Sequence, residues 1–327
     1  MAKIIDLITN AGQVDVTKGI VEEVLKAAPE MAFFDSDVVP GTTISTLART
    51  TLPTVAFRNI GDPVSSSRSQ YAERTATLKM LSGRAEITEA EVKKNPLLTK
   101  DEQCVAEAIA VLTAAFQHLG RQVWYGTDAD AKGFAGATAL VDASMVTRAG
   151  NGTSNANTSV WFVGNGAKTK CGIVFSKNSG ILAENDVEFI RGDVQIKKKV
   201  TIGDNEEDIV IGVEPGWIGD LTSYAALLVS NIHSLARLCN VTDTTGLNDD
   251  MLADCVDAYS QANNGAKPDA IFMSYGARRM LRKSRNLTVD AISDQLHRYA
   301  PIPMDFDQIP IIATNALIDT EATVAAA

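Results

Sequence analysis

Residues 96–126, PLLTKDEQCVAEAIAVLTAAFQHLGRQVWYG, read as one long amphipathic helix. Val105, Ile109, Leu112, Phe116, Leu119 and Val123 recur at alternating steps of four and three, the spacing of a single buried stripe. Pro96 blocks helix continuation upstream. Thr99-Lys100-Asp101-Glu102 then fits a capping box, in which the Thr99 hydroxyl and the Glu102 carboxylate satisfy free backbone amides reciprocally. Asp101 and Glu102 also sit at the positive end of the helix dipole. At about 1.5 Å per residue such a helix runs roughly 40 Å, the width of a small domain. Ala106, Ala108, Ala110, Ala114 and Ala115 keep its flanks slim, so other elements can pack closely along it. Spacing alone also fits a core helix of any ordinary domain.

The 327 residues, 45% of them hydrophobic, suffice for a sizeable core and predict two lobes. A formal charge of −10 argues against a dedicated nucleic-acid binder, which needs a basic surface, but not against a protein that stands beside nucleic acid. The opening Met1-Ala2-Lys3-Ile4-Ile5-Asp6 shows no signal-peptide pattern, and no apolar run approaches the roughly 18 residues that cross a bilayer. Cys104, Cys171, Cys239 and Cys255 are far apart with no C-x-x-C pair, which predicts reduced, buried thiols of a cytoplasmic product and no zinc site.

Along the chain, residues 14–28 predict a short helix ended by Pro29, with Phe33 and Phe34 in a linker after it. Residues 42–60 are extended, and Pro53 places them at an edge. With the turn signal Arg58 to Pro63, the polar tip Ser65 to Ser67 and a weakly alternating return over 71–88, residues 50–92 read as a long, mostly polar two-stranded arm. A lone hairpin is marginal in water, so the arm needs a support: the protein's own body or a neighbouring subunit.

Beyond the long helix, short strands are expected at Val160–Val163, Ile173–Phe175, Val194–Ile196, Val200–Ile202 and Ile209–Ile211. Residues 221–238 fit a helix or a buried strand equally. Helices follow at 248–263 and 276–285, around a short strand Ala270–Met273. A strand Ile309–Ala313 then precedes a tail expected to fray after Glu321.

Catalytic and ligand motifs are absent: no H-E-x-x-H, G-x-S-x-G or phosphate loop occurs, and Gly164 to Lys168 lacks the spacing of the last. Asp128, Asp130, Lys132 and Gly133 imitate a calcium loop, but Lys132 takes an acidic position and Ala139 stands where a glutamate must. His118 reads as a partly buried packing residue on the helix. Asp249 and Asp250 read as first-turn helix acids, and Asp305 and Asp307 have no base or metal partner nearby in sequence. The expectation is no enzyme, with no catalytic, metal or cofactor residues and no cofactor. The basic run Lys197-Lys198-Lys199 sits inside a strand pattern and reads as a solvated edge that discourages edge-to-edge pairing; it and the cluster Arg278, Arg279, Arg282, Lys283, Arg285 also fit contacts with acids or with nucleic acid.

As an ordered set these segments resemble a tailed-bacteriophage major capsid protein of the HK97-like fold. The helix running into Trp124-Tyr125-Gly126-Thr127-Asp128 and then Gly133-Phe134-Ala135-Gly136 is similar to a helix–"YGD"–"F-x-G-L" passage of these shell proteins, with Ala137 in place of the leucine. Leu52 to Arg58 leading into the polar hairpin resembles the family's extended loop. Ser230-Asn231-Ile232, Pro268 to Ser274 with the basic helix after it, and Ile309 to Leu317 resemble its late part.

The resemblance implies an α+β fold. Residues 1–49 would be an N-terminal arm, 50–96 the extended loop, 97–230 a peripheral domain with spine helix 97–126, and 231–327 mostly an axial domain with a C-terminal strand and tail. It implies a self-assembling icosahedral shell of hexamers and pentamers that encloses double-stranded DNA without sequence-specific binding. Portal, scaffolding and cement or decoration proteins would be partners, with no membrane, in a virion made in the bacterial host cytoplasm. The long helical extension that some members use as a built-in scaffold is not seen ahead of these segments. An encapsulin-like compartment shell is the alternative reading, and a soluble α/β enzyme the third.

Overall fold

The computed structural model describes residues 28–60, 62–63, 66–94, 99–152, 155–165, 171–177, 189–202, 205–292 and 301–325, with the backbone alone for 196–202, 205–209, 211 and 286–292. The helix expected at 14–28 lies outside the described residues, apart from its last residue.

In chain order the elements are α1 (Pro29–Phe33), β1 (Asp35–Val39), β2 (Thr43–Thr51), β3 (Gln70–Thr77), β4 (Lys79–Thr88), α2 (Glu89–Lys94), α3 (Lys100–Tyr125), α4 (Ala137–Leu140), β5 (Val146–Arg148), β6 (Thr158–Val163) and β7 (Cys171–Ser176). They continue with β8 (Phe189–Ile202), β9 (Asn205–Val229), β10 (Leu235–Val241), α5 (Asp249–Ala262), β11 (Ala270–Ser274), α6 (Tyr275–Ile292), β12 (Asp305–Phe306) and β13 (Ile309–Thr314).

The long helix forms as its sequence dictates. Thr99 accepts from the Glu102 amide while the Glu102 carboxylate accepts from the Thr99 amide at 2.8 Å, closing the capping box. Its apolar stripe behaves differently in its two halves. Phe116, Leu119, Val123 and Trp124 are buried, whereas Val105 is 37% exposed and Ile109 only partly covered. The reason is that α1 and the sheets close over the C-terminal half, and the other half extends past most of them.

Two sheets flank the core. The first has the order β1-β7-β9-β4, with β8 pairing β9 as well; the second has the order β12-β13-β11-β6-β10-β5. Strand β6 shows why the second sheet is internal. Its residues Val160, Trp161, Phe162 and Val163 are all fully buried. Trp161 and Val163 face the aromatic centre, and Val160 and Phe162 face helices α5 and α6. At that centre Phe34 stacks on Phe272 with rings 6.0 Å apart, and Trp124 lies 5.6 Å from Trp161. Phe34 is thus a core residue just past α1, and Phe33 packs beside it. The linker expected there is overturned because both rings find partners on the second sheet.

Several boundaries differ from the sequence reading. The arm is the ribbon β2–β3, residues 43–77, and not 50–92. Strand β4 leaves it and pairs with β9 from Lys79↔Ala225 to Thr88↔Gly216. The side-chain parity changes between the two, with Ala76 and Leu78 inward on one and Leu81, Ala85 and Ile87 inward on the other. That shift hides the join from a search for alternation. Gly83 lets α3 approach this strand, since a Cβ there would stand 2.8 Å from Val111 Cγ1.

The short strands expected between 194 and 211 are one long hairpin, β8–β9, whose register sets Lys199 opposite Asp208 and Val200 opposite Glu207. Residues 221–229 are strand, and α6 runs on to Ile292. The border near residue 231 does not separate the sheets, because β5 and β6 lie in the same sheet as β10, β11 and β13.

The segment after Glu321 is tied down, not frayed. Val324 donates its amide to Asn240 Oδ1 at 2.9 Å, and Arg148 donates to the Ala325 carbonyl at 2.6 Å. A sequence rich in alanine carries no sign of these bonds, because the partners lie some 80 to 180 residues upstream.

Candidate assembly surfaces

The ribbon packs on the body at its root. Ile44 and Ala76 pack against Leu78, Val174, Ala226 and Leu228 on the first sheet. Further out the two strands bond each other, for instance Arg49 to the Tyr71 hydroxyl at 3.2 Å. At the tip Thr54 donates its amide to Ser67 Oγ at 2.8 Å, and Arg58 bonds the Asp62 carbonyl. Yet the ribbon carries apolar side chains in full view of water: Leu47 and Leu52 are largely exposed, Val55 is 93% exposed, and Phe57 and Ile60 are wholly so. Exposed large apolar groups gathered on one projecting element mark an interaction surface. The sequence predicted a polar arm. The structure adds that its apolar residues concentrate at the distal end.

The spine joins the rest of the chain at the passage that carries the family likeness, and two glycines explain that passage. Gly126 has φ +57°, and a Cβ on it would fall 2.1 Å from the Gly136 amide nitrogen; a Cβ on Gly136 would fall 2.3 Å from the Gly126 nitrogen. The two backbones touch where Tyr125-Gly126 passes Gly136, and only residues without a side chain fit. Between them Gln122 donates to the Phe134 carbonyl at 2.7 Å.

A buried polar network seals the same junction. The Tyr125 hydroxyl donates to Glu321 Oε1 at 2.6 Å and accepts from the Ile318 amide at 3.0 Å. Arg237 donates to Glu321 Oε2 at 2.9 Å, and Ser159 bonds the same oxygen at 2.5 Å. Burial, then the neighbouring carboxylate, pushes the Tyr125 phenol far above its ordinary value, so it stays a neutral donor. Sequence reasoning missed Glu321, which lies in an unpatterned tail. A second buried carboxyl, Glu30, accepts from Trp124 Nε1 at 3.2 Å, and desolvation raises its pKa.

His118 is partly buried as expected and stands 3.4 Å from Asp130. Asp249 is a first-turn helix acid that binds Arg285 at 2.7 Å, and Asp307 pairs with Lys267. All four cysteines are free and buried. Burial pushes the thiol of Cys171 to about 12 and that of Cys255 to about 11, so both are inert. Among the described residues no cluster of three or more metal-ligating side chains occurs, and no helix is long and apolar enough to cross a membrane.

Comparison with known proteins bears on these surfaces directly. The family profile of the major capsid protein GP7 matches residues 20–325. The chain belongs to that family. It is a structural protein of the phage capsid and thus a component of the virion.

Among solved structures, the capsid protein resembles a chain of bacteriophage Epsilon15 at 18% identity and a TM-score of 0.60, over 89% of this chain and 88% of that one. A chain of the bacteriophage JBD30 capsid matches at 13% identity and 0.47, over 86% and 88%. One from the SrpI encapsulin complex of Synechococcus elongatus PCC 7942 matches at 7% and 0.41, over 64% and 86%. The first of these establishes the HK97-like α+β fold. No curated protein matches the chain in sequence. With a family profile that names a phage capsid protein, the compartment alternative is not favoured.

Proposed function

We propose that copies of this capsid protein build the shell by laying the β2–β3 ribbon of each subunit over its neighbour. The copies are arranged in hexamers and pentamers around double-stranded DNA that is held without sequence-specific contacts. The observation that carries this reading is the ribbon itself. Two isolated strands are marginal in water, and this pair displays Val55, Phe57 and Ile60 with nothing of its own chain to cover them among the described residues. A contact surface on another copy supplies the missing burial. In this reading the ribbon is the extended loop. The spine α3 with the first sheet forms the peripheral unit, and the second sheet with α5 and α6 forms most of the axial unit.

The capsid protein is a building block and not an enzyme. Portal, scaffolding and cement or decoration proteins are its further partners, and the bacterial host cytoplasm is its site of synthesis. Net charge of −10 suits a wall that contains DNA without gripping it. In the β8–β9 hairpin Lys199 stands opposite Asp208, while Lys197 and Lys198 stand opposite Val210 and Ile209.

The test is to replace residues 52–69 by a short turn and follow particles by light scattering and negative-stain microscopy. Folded subunits that no longer form particles are expected. Particles at the normal yield would remove the ribbon from assembly. A cut reaching into β4 is uninformative, because that strand belongs to the body.

A further inference from the structure

We propose that the acidic outer face of α5 in one copy docks against the basic outer face of α6 in another, a charge-matched contact between subunits of the shell. The inference rests on the self-assembly reading above and names a second surface for it.

Helix α5 buries Leu252, Cys255, Val256 and Tyr259. On the opposite side Asp250, Asp254 and Asp257 are exposed at steps of four and three, and the helix contains no lysine or arginine. Like charges at this spacing repel, and none of the three aspartates has an ion-pair partner among the described residues. Helix α6 is the converse. It buries Ala277, Met280 and Leu281, and from Tyr275 to Arg285 it has Arg278, Arg279, Arg282, Lys283 and Arg285 with no acid.

Part of that charge is used within the subunit. Arg285 clamps Asp249 at 2.7 Å, and Arg278 lies over the Tyr275 ring at 4.9 Å. Arg279 reaches Asp243 at 3.6 Å, but both side chains are more than half exposed, so this pair contributes little.

The two helices cover one face of the second sheet side by side, α5 over β6 and β10, α6 over β6, β11 and β13. On these outer faces Asp250, Asp254, Asp257, Arg279 and Lys283 are exposed, while Arg278 and Arg282 are partly buried. A chain of net charge −10 repels its own copies, so a contact between copies gains most where a locally basic surface meets an acidic one. Each subunit carries one of each, which is what repeated contact between identical chains requires. Nucleic acid fits this surface less well, because a polyanion on α6 lies beside the aspartates of α5.

The test reverses the faces one at a time and then together. Chains carrying Asp250→Lys, Asp254→Lys and Asp257→Lys, or Arg278→Glu, Arg279→Glu and Lys283→Glu, are expected to remain folded, with a slightly lower melting temperature where Asp250→Lys opposes the α5 dipole, but to give at least about tenfold fewer particles, as for rim charges that set association. Uniting all six substitutions in one chain, or mixing the two single-face variants, is expected to restore the yield, which a misfolded subunit cannot do. Raising salt from about 0.1 M to about 1 M, which shortens screening from about 10 to about 3 Å, is expected to lower the wild-type yield and not that of either single-face variant.

Wild-type yields from the single-face variants, or no rescue by the combined one, overturn the contact. So does an α6 variant that assembles normally and loses only packaged DNA. A wild-type chain that forms no particles under any condition overturns the self-assembly reading itself, and so is told apart.

Discussion

The Tyr125 hydroxyl at the last residue of the spine donates a 2.6 Å hydrogen bond to Glu321, 196 residues further along the chain. That bond fastens the C-terminal segment to the point where helix, glycine junction and second sheet meet. Glu321 also neutralises Arg237, whose side chain is only 11% exposed and lies over the Trp161 ring. Removing one partner of a buried pair leaves the other charge without compensation. Glu321→Ala is therefore expected to destabilise the unassembled subunit by about 3–5 kcal/mol. Tyr125→Phe, which strands the Ile318 amide, costs about 1–2 kcal/mol. Denaturant unfolding of unassembled subunits measures both.

Glu30 gives a pH dependence with a definite sign. Burial raises its pKa above the ordinary 4.5, against smaller opposing contributions from Thr314, its own backbone and Trp124. The folded state thus holds the proton more tightly than the unfolded chain does. The stability tied to this proton is present below about 4.5 and is lost as pH rises through the folded pKa. Glu30→Gln is expected to match the wild type near pH 4 and to be the more stable of the two at pH 8. A pH series of melting temperatures checks it, and a wild type that outlasts the variant at pH 8 overturns the assignment.

The glycine junction should tolerate no side chain. Gly126→Ala meets both a positive φ and the Gly136 nitrogen, and Gly136→Ala meets the Gly126 nitrogen. Each is expected to cost about 3 kcal/mol or more, from strain and overpacking combined. Soluble yield and unfolding midpoints of the two variants are the readout. A neutral effect at either site would show that the backbones can separate.

The ribbon tip should behave in the opposite way. Phe57→Ser and Ile60→Ser remove apolar groups left fully exposed by the described residues, so the subunit's stability should change by less than about 0.5 kcal/mol. Particle formation should fall, because the partner surface loses its apolar contact. Light scattering of matched protein concentrations separates the two effects.

Much of the fold was legible before any coordinates. Thr99 and Glu102 announced the spine, since a capping box is a local arrangement of neighbouring residues. Val160 to Val163 announced a short strand, and its burial on both faces was added by the structure. Misreadings arose where the partner was distant. The parity change near Leu78 placed β4 in the arm instead of the sheet, and β9 was broken into pieces because only Ile209–Ile211 read as strand while residues 221–238 fitted a helix equally. The candidate site was half legible: the arm was visible as extended and unsupported, but the ranking of Phe57 and Ile60 as its most exposed residues was not.

The sequence by itself determined the local elements, the lack of catalytic motifs and the family likeness, because caps, periodicity and glycine pairs act over a few residues or in a fixed order. Only the tertiary structure decided which half of the spine stripe is covered, that Glu321 closes the core, and that α5 and α6 present opposite charges side by side. Those facts depend on which distant segments meet, and burial and charge pairing have no meaning until the chain has brought them together.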